Sequence, residues 1–132
     1  MKVLDTDVCI EILRGNAAVI ARRATVCDEV VTTWITAAEL CYGAAKSSKP
    51  DNNHRLVSEF LATLSVIGLD LQAALRFGQL KTVLERDGRR LADADLFIAA
   101  VTGAHDAVLV TGNRRHYQRI PGLPIEDWIR DP

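Results

Sequence analysis

Residues 1–16 read MKVLDTDVCIEILRGN. The apolar pair Val3-Leu4 stops abruptly on Asp5, Val8 to Leu13 follows with helical spacing, and Arg14-Gly15-Asn16 supplies a stop. This is strand, turn, helix, with two carboxylates, Asp5 and Asp7, bracketing Thr6 in the turn.

The same alternation continues along the chain. Ala17 to Val26 predicts a second helix, and Glu29 to Ile35 (EVVTTWI) a strand rich in β-branched and aromatic residues. Thr36 is expected to open the next helix, ITAAELCYGAAKS. The polar segment SSKPDNNH reads as a connecting loop, with a helix from Arg55 to Leu64 behind it. Ser65 to Leu69 predicts a strand, Leu71 to Arg86 a long amphipathic helix ended by Asp87-Gly88, and Ala94 to Ala104 a further helix. Ala107 to Thr111 (AVLVT) has the composition of a fully buried strand, and PGLPIEDW that of a short edge strand tolerating proline. Strands alternating with helices imply parallel pairing through right-handed crossovers. The expected fold is a three-layer α/β/α sandwich with a mainly parallel central sheet.

At 132 residues, nearly half of them apolar, the chain suits one domain spanning 1–132, with a core large enough to need neither disulfides nor structural metal. Sixteen Lys plus Arg almost cancel 17 Asp plus Glu, so there is no broad basic footprint, and any nucleic-acid partner must be met by local patches. No apolar run approaches the roughly 20 residues that span a bilayer, and Met1-Lys2 leads directly into a strand with no room for a signal peptide. A cytoplasmic protein is expected. Cys9, Cys27 and Cys41 lack C-x-x-C spacing and stand among apolar neighbours, as reduced, buried small hydrophobes do.

In such a sandwich the ligand crevice lies outside the carboxyl ends of the strands, where helix N-termini converge. Asp5, Glu39 and Asp95 each stand near the start of a helix on an otherwise apolar element. Each has a structural reading as well. Asp5 or Asp7 can cap the first helix, Thr36-Ala37-Ala38-Glu39 has the form of a capping box, and Asp93 and Asp95 suit a first turn electrostatically. Their joint placement favours a different use. Gathered carboxylates raise one another's pKa unless a cation neutralises them, and an all-oxygen donor set selects a hard ion such as Mg²⁺ or Mn²⁺ over zinc. Such an ion joins carboxylates to phosphate, as phosphodiester hydrolysis requires. In VLVTGNRRHYQRI a strand ends at Thr111 and is followed by Asn113, Arg114, Arg115 and His116, placing phosphate-binding groups beside the acids. Tyr117 is the one candidate for stacking on a base, with packing in the core as the commoner use of such a residue.

The segments LDTDVCIEILRG, TAAELCYGAAKS, DADLFIAA and LVTGNRRHYQRIPGLPIEDW, in this order and at these spacings, resemble the PIN-domain ribonucleases, specifically the VapC-type toxins of bacterial toxin-antitoxin pairs. The resemblance runs nearly end to end. It implies that Asp5, Glu39 and Asp95 bind Mg²⁺ or Mn²⁺, with Asn113 joining them in catalysis and Thr6 in support; Thr111 is a further supporting residue, and Asp7 is either a spare acid near the metal or the helix cap. It also implies an RNA substrate, with tRNA and rRNA as candidate classes, a homodimer, and silencing by a cognate antitoxin. Many relatives carry a fourth acid where this chain has Asn113 and His116, and often Asn where it has Asp7. Two other readings start from the same residues. One is a haloacid-dehalogenase-like phosphatase with Asp5 as nucleophile; the other is a degenerate PIN-like protein that only binds.

Overall fold

Val3 and Leu4 point to opposite faces of a five-stranded sheet, and each face carries its own apolar core. The computed structural model describes residues 1–132. Its elements are β1 (Lys2–Leu4), α1 (Thr6–Leu13), α2 (Ala17–Thr25), β2 (Val30–Thr33), α3 (Trp34–Ala45), α4 (Pro50–Leu61), β3 (Ser65–Ile67), α5 (Leu71–Arg86), α6 (Asp93–Ala104), β4 (Val108–Val110), α7 (Arg114–Tyr117) and β5 (Ile125–Glu126). The strand order is β3-β2-β1-β4-β5 and every pairing is parallel. The expected α/β/α sandwich is present.

On one side of the sheet Val3, Val31 and Leu109 pack with Leu84 of α5 and Leu96, Ile98 and Ala99 of α6. Phe77 and Phe97 stack between these two helices, their ring centroids 4.1 Å apart. On the other side Leu4 and Val110 pack with Val8, Cys9, Val19, Leu40, Val57, Phe60 and Trp128. Alternation along the strands thus fills both cores. The apolar stripe of α4 belongs to the second core: Val57 and Phe60 are buried, Leu61 packs against them, and Leu56 at the stripe's edge stays partly exposed. No helix is long and apolar enough to cross a membrane.

Several boundaries differ from the sequence reading. The second strand ends at Thr33, not Ile35, because the Thr33 hydroxyl accepts the Thr36 amide at 3.1 Å and caps α3. Thr36 is therefore already inside the helix, and the Thr36–Glu39 capping box does not form. Helix α4 starts at Pro50 rather than Arg55: proline is a breaker in a helix interior, but its fixed φ and missing N–H suit the first turn. Of the three free cysteines only Cys9 is buried. Cys27 lies in the α2–β2 loop, and Cys41 is one residue beyond buried Leu40 on α3, a turn of about 100° that carries it to solvent.

The order of the strands fixes where a site can form. From β1 the chain winds outward through β2 to β3, then crosses to the other side of β1 to add β4 and β5. Neighbouring β1 and β4 therefore feed connections that leave in opposite directions, which opens a crevice beyond their carboxyl ends. Leu4 pairs with Val110, and the Asp5 amide donates to the Val110 carbonyl at 2.9 Å. Asp5 and Thr111 thus emerge side by side at this switch point.

Candidate active site

Asp5 is only 6 % exposed, yet it lines an open cleft with Thr6, Asp7, Glu39, Asp95, Gly112, Asn113 and Arg130. Its two carboxylate oxygens are held separately. Oδ1 accepts the Thr6 amide at 2.8 Å, so Asp5 is also the N-cap of α1. Oδ2 accepts the Thr111 hydroxyl at 2.8 Å, and Thr111 Oγ1 in turn accepts the Asn113 amide at 3.0 Å. The capping and site readings of Asp5 are thus compatible.

Glu39 projects from the second turn of α3. It accepts from the Thr6 hydroxyl at 2.7 Å, and that hydroxyl lies 3.1 Å from the Thr36 hydroxyl, whose proton it can accept. Asp95 stands in the first turn of α6, whose N-cap, Ala92, supplies no side-chain hydrogen bond. Its Oδ1 receives the Tyr117 hydroxyl at 3.3 Å, and its Oδ2 lies 3.6 Å from His116 Nδ1. Asn113 Nδ2 approaches the same His116 nitrogen at 2.8 Å, which a neutral imidazole protonated on Nε2 accommodates. Asp93 turns away and pairs with Lys81 at 2.9 Å.

Asp7 is half-buried; Oδ1 accepts the Val8 amide and Oδ2 the Gly112 amide, both at 2.8 Å. On the far rim Arg130 donates through Nη1 to the Gly112 carbonyl and lies 3.3 Å from Asp127 Oδ2. Gly112 therefore ties the first acidic turn to the carboxyl-terminal turn, and it must be small. A Cβ there would stand 2.9 Å from Ile129 Cδ1 and 3.0 Å from both Arg130 Nη1 and Asp7 Oδ2.

The electrostatics are those of a largely buried acidic cluster. Burial, then the charge of Asp7, and more weakly that of Asp95, push the Asp5 carboxyl up to about 7 against the hydrogen bonds from Thr111 and Thr6. Burial also raises Asp7, against the amides of Gly112 and Val8. The Tyr117 phenol is driven upward by burial and by the nearby charges of Asp5 and Asp95, so it remains a hydrogen-bond donor.

These donors fit a hard divalent cation. They are all oxygens, no cysteine reaches the cleft, and a cation would offset both the burial and the neighbouring charges that raise Asp5. No three of the acidic or imidazole side chains meet closely enough to enclose an ion between them. Magnesium-type sites tolerate this, because one or two carboxylates suffice and water completes the coordination.

The structure brings Asp5, Thr6, Asp7, Glu39, Asp95 and Asn113 to one cleft, with Thr111 and His116 immediately behind its acids. Arg114 and Arg115 are exposed on α7 and do not line it. Tyr117 is fully buried against Asp95 and so cannot stack on a base. Arg130 and Gly112 are the additions. The glycine was legible in the TGN that follows the strand, whereas Arg130 lies beyond the last predicted element and carries no signal of its own.

Residues 2–123 match the PIN domain family. A tRNA(fMet)-specific endonuclease VapC of Salmonella typhimurium is 38% identical over 127 residues, 96% of either chain, and its counterpart in Shigella flexneri is 32% identical over the same share. Among solved structures, DNA-bound VapBC of Salmonella typhimurium superposes with a TM-score of 0.91 at 37% identity, covering 96% of this chain and 97% of that one. VapBC2 of Rickettsia felis, bound to a DNA fragment from its promoter, gives 0.90 at 30% identity over 96% and 98%. The chain belongs to the PIN domain family, in its VapC ribonuclease branch.

Proposed function

We propose that this chain is an endoribonuclease toxin that hydrolyses RNA phosphodiester bonds with Mg²⁺ or Mn²⁺ bound in the cleft of Asp5, Glu39 and Asp95, directly or through coordinated water. The observation that carries the reading is the pairing of Asp5 with Thr111 at the switch point, with Glu39 and Asp95 lining the same cleft. A bound divalent cation would lower the pKa of a coordinated water and offset negative charge on the scissile phosphate. The remaining work falls to the protein. Thr111 and Thr6 fix the two oxygens of Asp5, so that its free lone pairs face the cleft once the proton is lost. Thr6 aims Glu39, Tyr117 aims Asp95, and Gly112 holds Asp7. Asn113 offers its amide to a substrate oxygen, with His116 behind it, while Arg114 and Arg115 provide phosphate contacts farther along the strand.

The tRNA(fMet) specificity of the Salmonella typhimurium and Shigella flexneri relatives makes tRNA the first class to test, and the VapBC complexes make a cognate antitoxin the expected partner. We further propose one domain across residues 1–132, a homodimer, and residence in the cytoplasm. The phosphatase reading is disfavoured because no lysine lines the cleft, and the degenerate-binder reading because all three principal acids are present in it.

The test is incubation of antitoxin-free protein with total RNA, with and without Mg²⁺ or Mn²⁺, beside Asp5→Asn, followed by sequencing of new RNA ends. Discrete cuts that need both metal and Asp5 are expected. Folded, metal-supplied protein that cuts nothing would favour the binder, and a phosphoaspartate trapped at Asp5 would favour the phosphatase.

A further inference from the structure

The cleft described above is lined by four carboxylates and a single cationic side chain, Arg130. An RNA strand entering it brings more negative charge, so this one cation has electrostatic weight out of proportion to its place in a short terminal turn.

The turn is built to hold it. Asp127 is 4 % exposed, and its Oδ1 accepts the amides of Ile129 at 2.9 Å and Arg130 at 3.0 Å. Burial alone would raise this carboxyl, but those amides and the Arg130 guanidinium hold it below its ordinary range, so it is a fixed anion at neutral pH. Trp128, almost fully buried between these residues, anchors the segment in the core and donates to Glu126 at 2.9 Å. From this base only Nη1 of Arg130 is engaged, on the Gly112 carbonyl and Asp127. The side chain as a whole is 71% exposed, and Nε and Nη2 make no hydrogen bond to the protein. A guanidinium serving only to close the turn would present its full fork to Asp127. This one is held by one nitrogen on the rim of the cleft and leaves the others without a protein partner.

We propose that Arg130 is a substrate-binding residue that grips an RNA phosphate next to the one being cut, with Gly112 setting its distance from the acidic cluster. The assignment rests on the nuclease reading above. Arginine suits the role because a planar fork can bind two phosphate oxygens while remaining charged at every working pH. The same anchoring links it to Asp7, since Gly112 donates its amide to Asp7 and its carbonyl receives Arg130.

The test measures binding of a labelled tRNA(fMet) transcript to Asp5→Asn protein, with and without Arg130→Gln or Arg130→Lys, over about 50–300 mM salt. Loss of one phosphate contact is expected to lower the slope of log affinity against log salt by about 0.7–0.9, and to weaken binding about tenfold at low salt. Arg130→Lys should recover the slope and only part of the affinity. An unchanged slope and affinity in Arg130→Gln would overturn the assignment, as would a lowered melting temperature with the slope intact, which would make Arg130 a clamp for the turn. Cleavage of total RNA by wild-type protein from the same preparation keeps the two ideas apart. If the wild type cuts and the slope does not move, only the role of Arg130 falls; if the wild type neither cuts nor binds RNA, both fall.

Discussion

The Thr6 hydroxyl donates to Glu39 at 2.7 Å, joining the turn after β1 to the second turn of α3 across 33 residues of sequence. Glu39 is a long side chain with rotamer freedom to lose, and this contact selects one orientation for it. Thr6→Val keeps the shape and removes the donor. Cleavage should fall about 10- to 100-fold, as it does when groups that orient metal-binding side chains are lost, with little change in melting temperature, and Thr6→Ser should restore most of it. Full activity in Thr6→Val would show that Glu39 is positioned by something else during turnover.

Gly112 lies where three groups close on the backbone: Asp7 Oδ2, Arg130 Nη1 and Ile129 Cδ1. The first two are ends of mobile side chains and can retreat; the third belongs to the packed carboxyl-terminal turn. Gly112→Ala should therefore cost about 1–2 kcal/mol by overpacking, measured by urea denaturation, and should reduce cleavage more than that loss of folded protein explains. Unchanged stability and activity together would mean that all three groups yield without consequence.

Much of this arrangement is legible in the sequence. Asp5, Glu39 and Asp95 were marked by their position at strand-to-helix junctions, and the parallel sheet followed from the alternation of elements. Where reading failed, local signals had two meanings. Pro50 begins a helix that it appears, as a residue type, to forbid, and Thr33 and Thr36 are both capable caps, so only packing decides that Thr33 takes the role. The contribution of Arg130 was illegible because it depends on a turn closing over Gly112, 18 residues earlier in the chain. Cys41, expected to be buried, is exposed for a related reason. Which side of an element faces the core is set by its neighbours, and one residue along a helix, a turn of about 100°, is enough to move a side chain from core to solvent.

A buried carboxyl with its pKa raised to about 7 has a consequence for stability when no cation is present. Its folded pKa lies above the unfolded value of 3.8, so the folded state holds the proton more tightly. The associated stabilisation is complete below the unfolded value and is lost as pH rises through about 7. In protein stripped with EDTA, Asp5→Asn removes the ionisation. It should melt about 2–4 °C above wild type at pH 8, with the gap closing towards pH 5. Saturating Mg²⁺ should stabilise the wild type and leave the variant nearly unmoved. A variant less stable than wild type at pH 8 in EDTA would mean that burial does not penalise the Asp5 charge.

Lys2 of β1 pairs with Glu126 of β5 and lies 3.3 Å from Asp28. Lys2 and Glu126 are not on neighbouring strands, since β4 lies between β1 and β5, so the pair clamps the edge strand from across its partner. The hydrogen bond to Glu126 raises Lys2. Burial on its own would raise Glu126, but hydrogen bonds from Lys2 and Trp128 outweigh it and hold the carboxyl below 4.5. The sign for Glu126 is opposite to that for Asp5. Its contribution is present above the unfolded value of 4.5 and disappears as pH falls through the lower folded value. Glu126→Gln should therefore destabilise the protein by about 1 kcal/mol at pH 7, and the two proteins should converge in acid, where Glu126 is protonated in both the folded and unfolded states. Denaturation curves at pH 7 and at successively lower pH measure this directly, and a difference that persists undiminished in acid would assign the effect to packing around Trp128 rather than to charge.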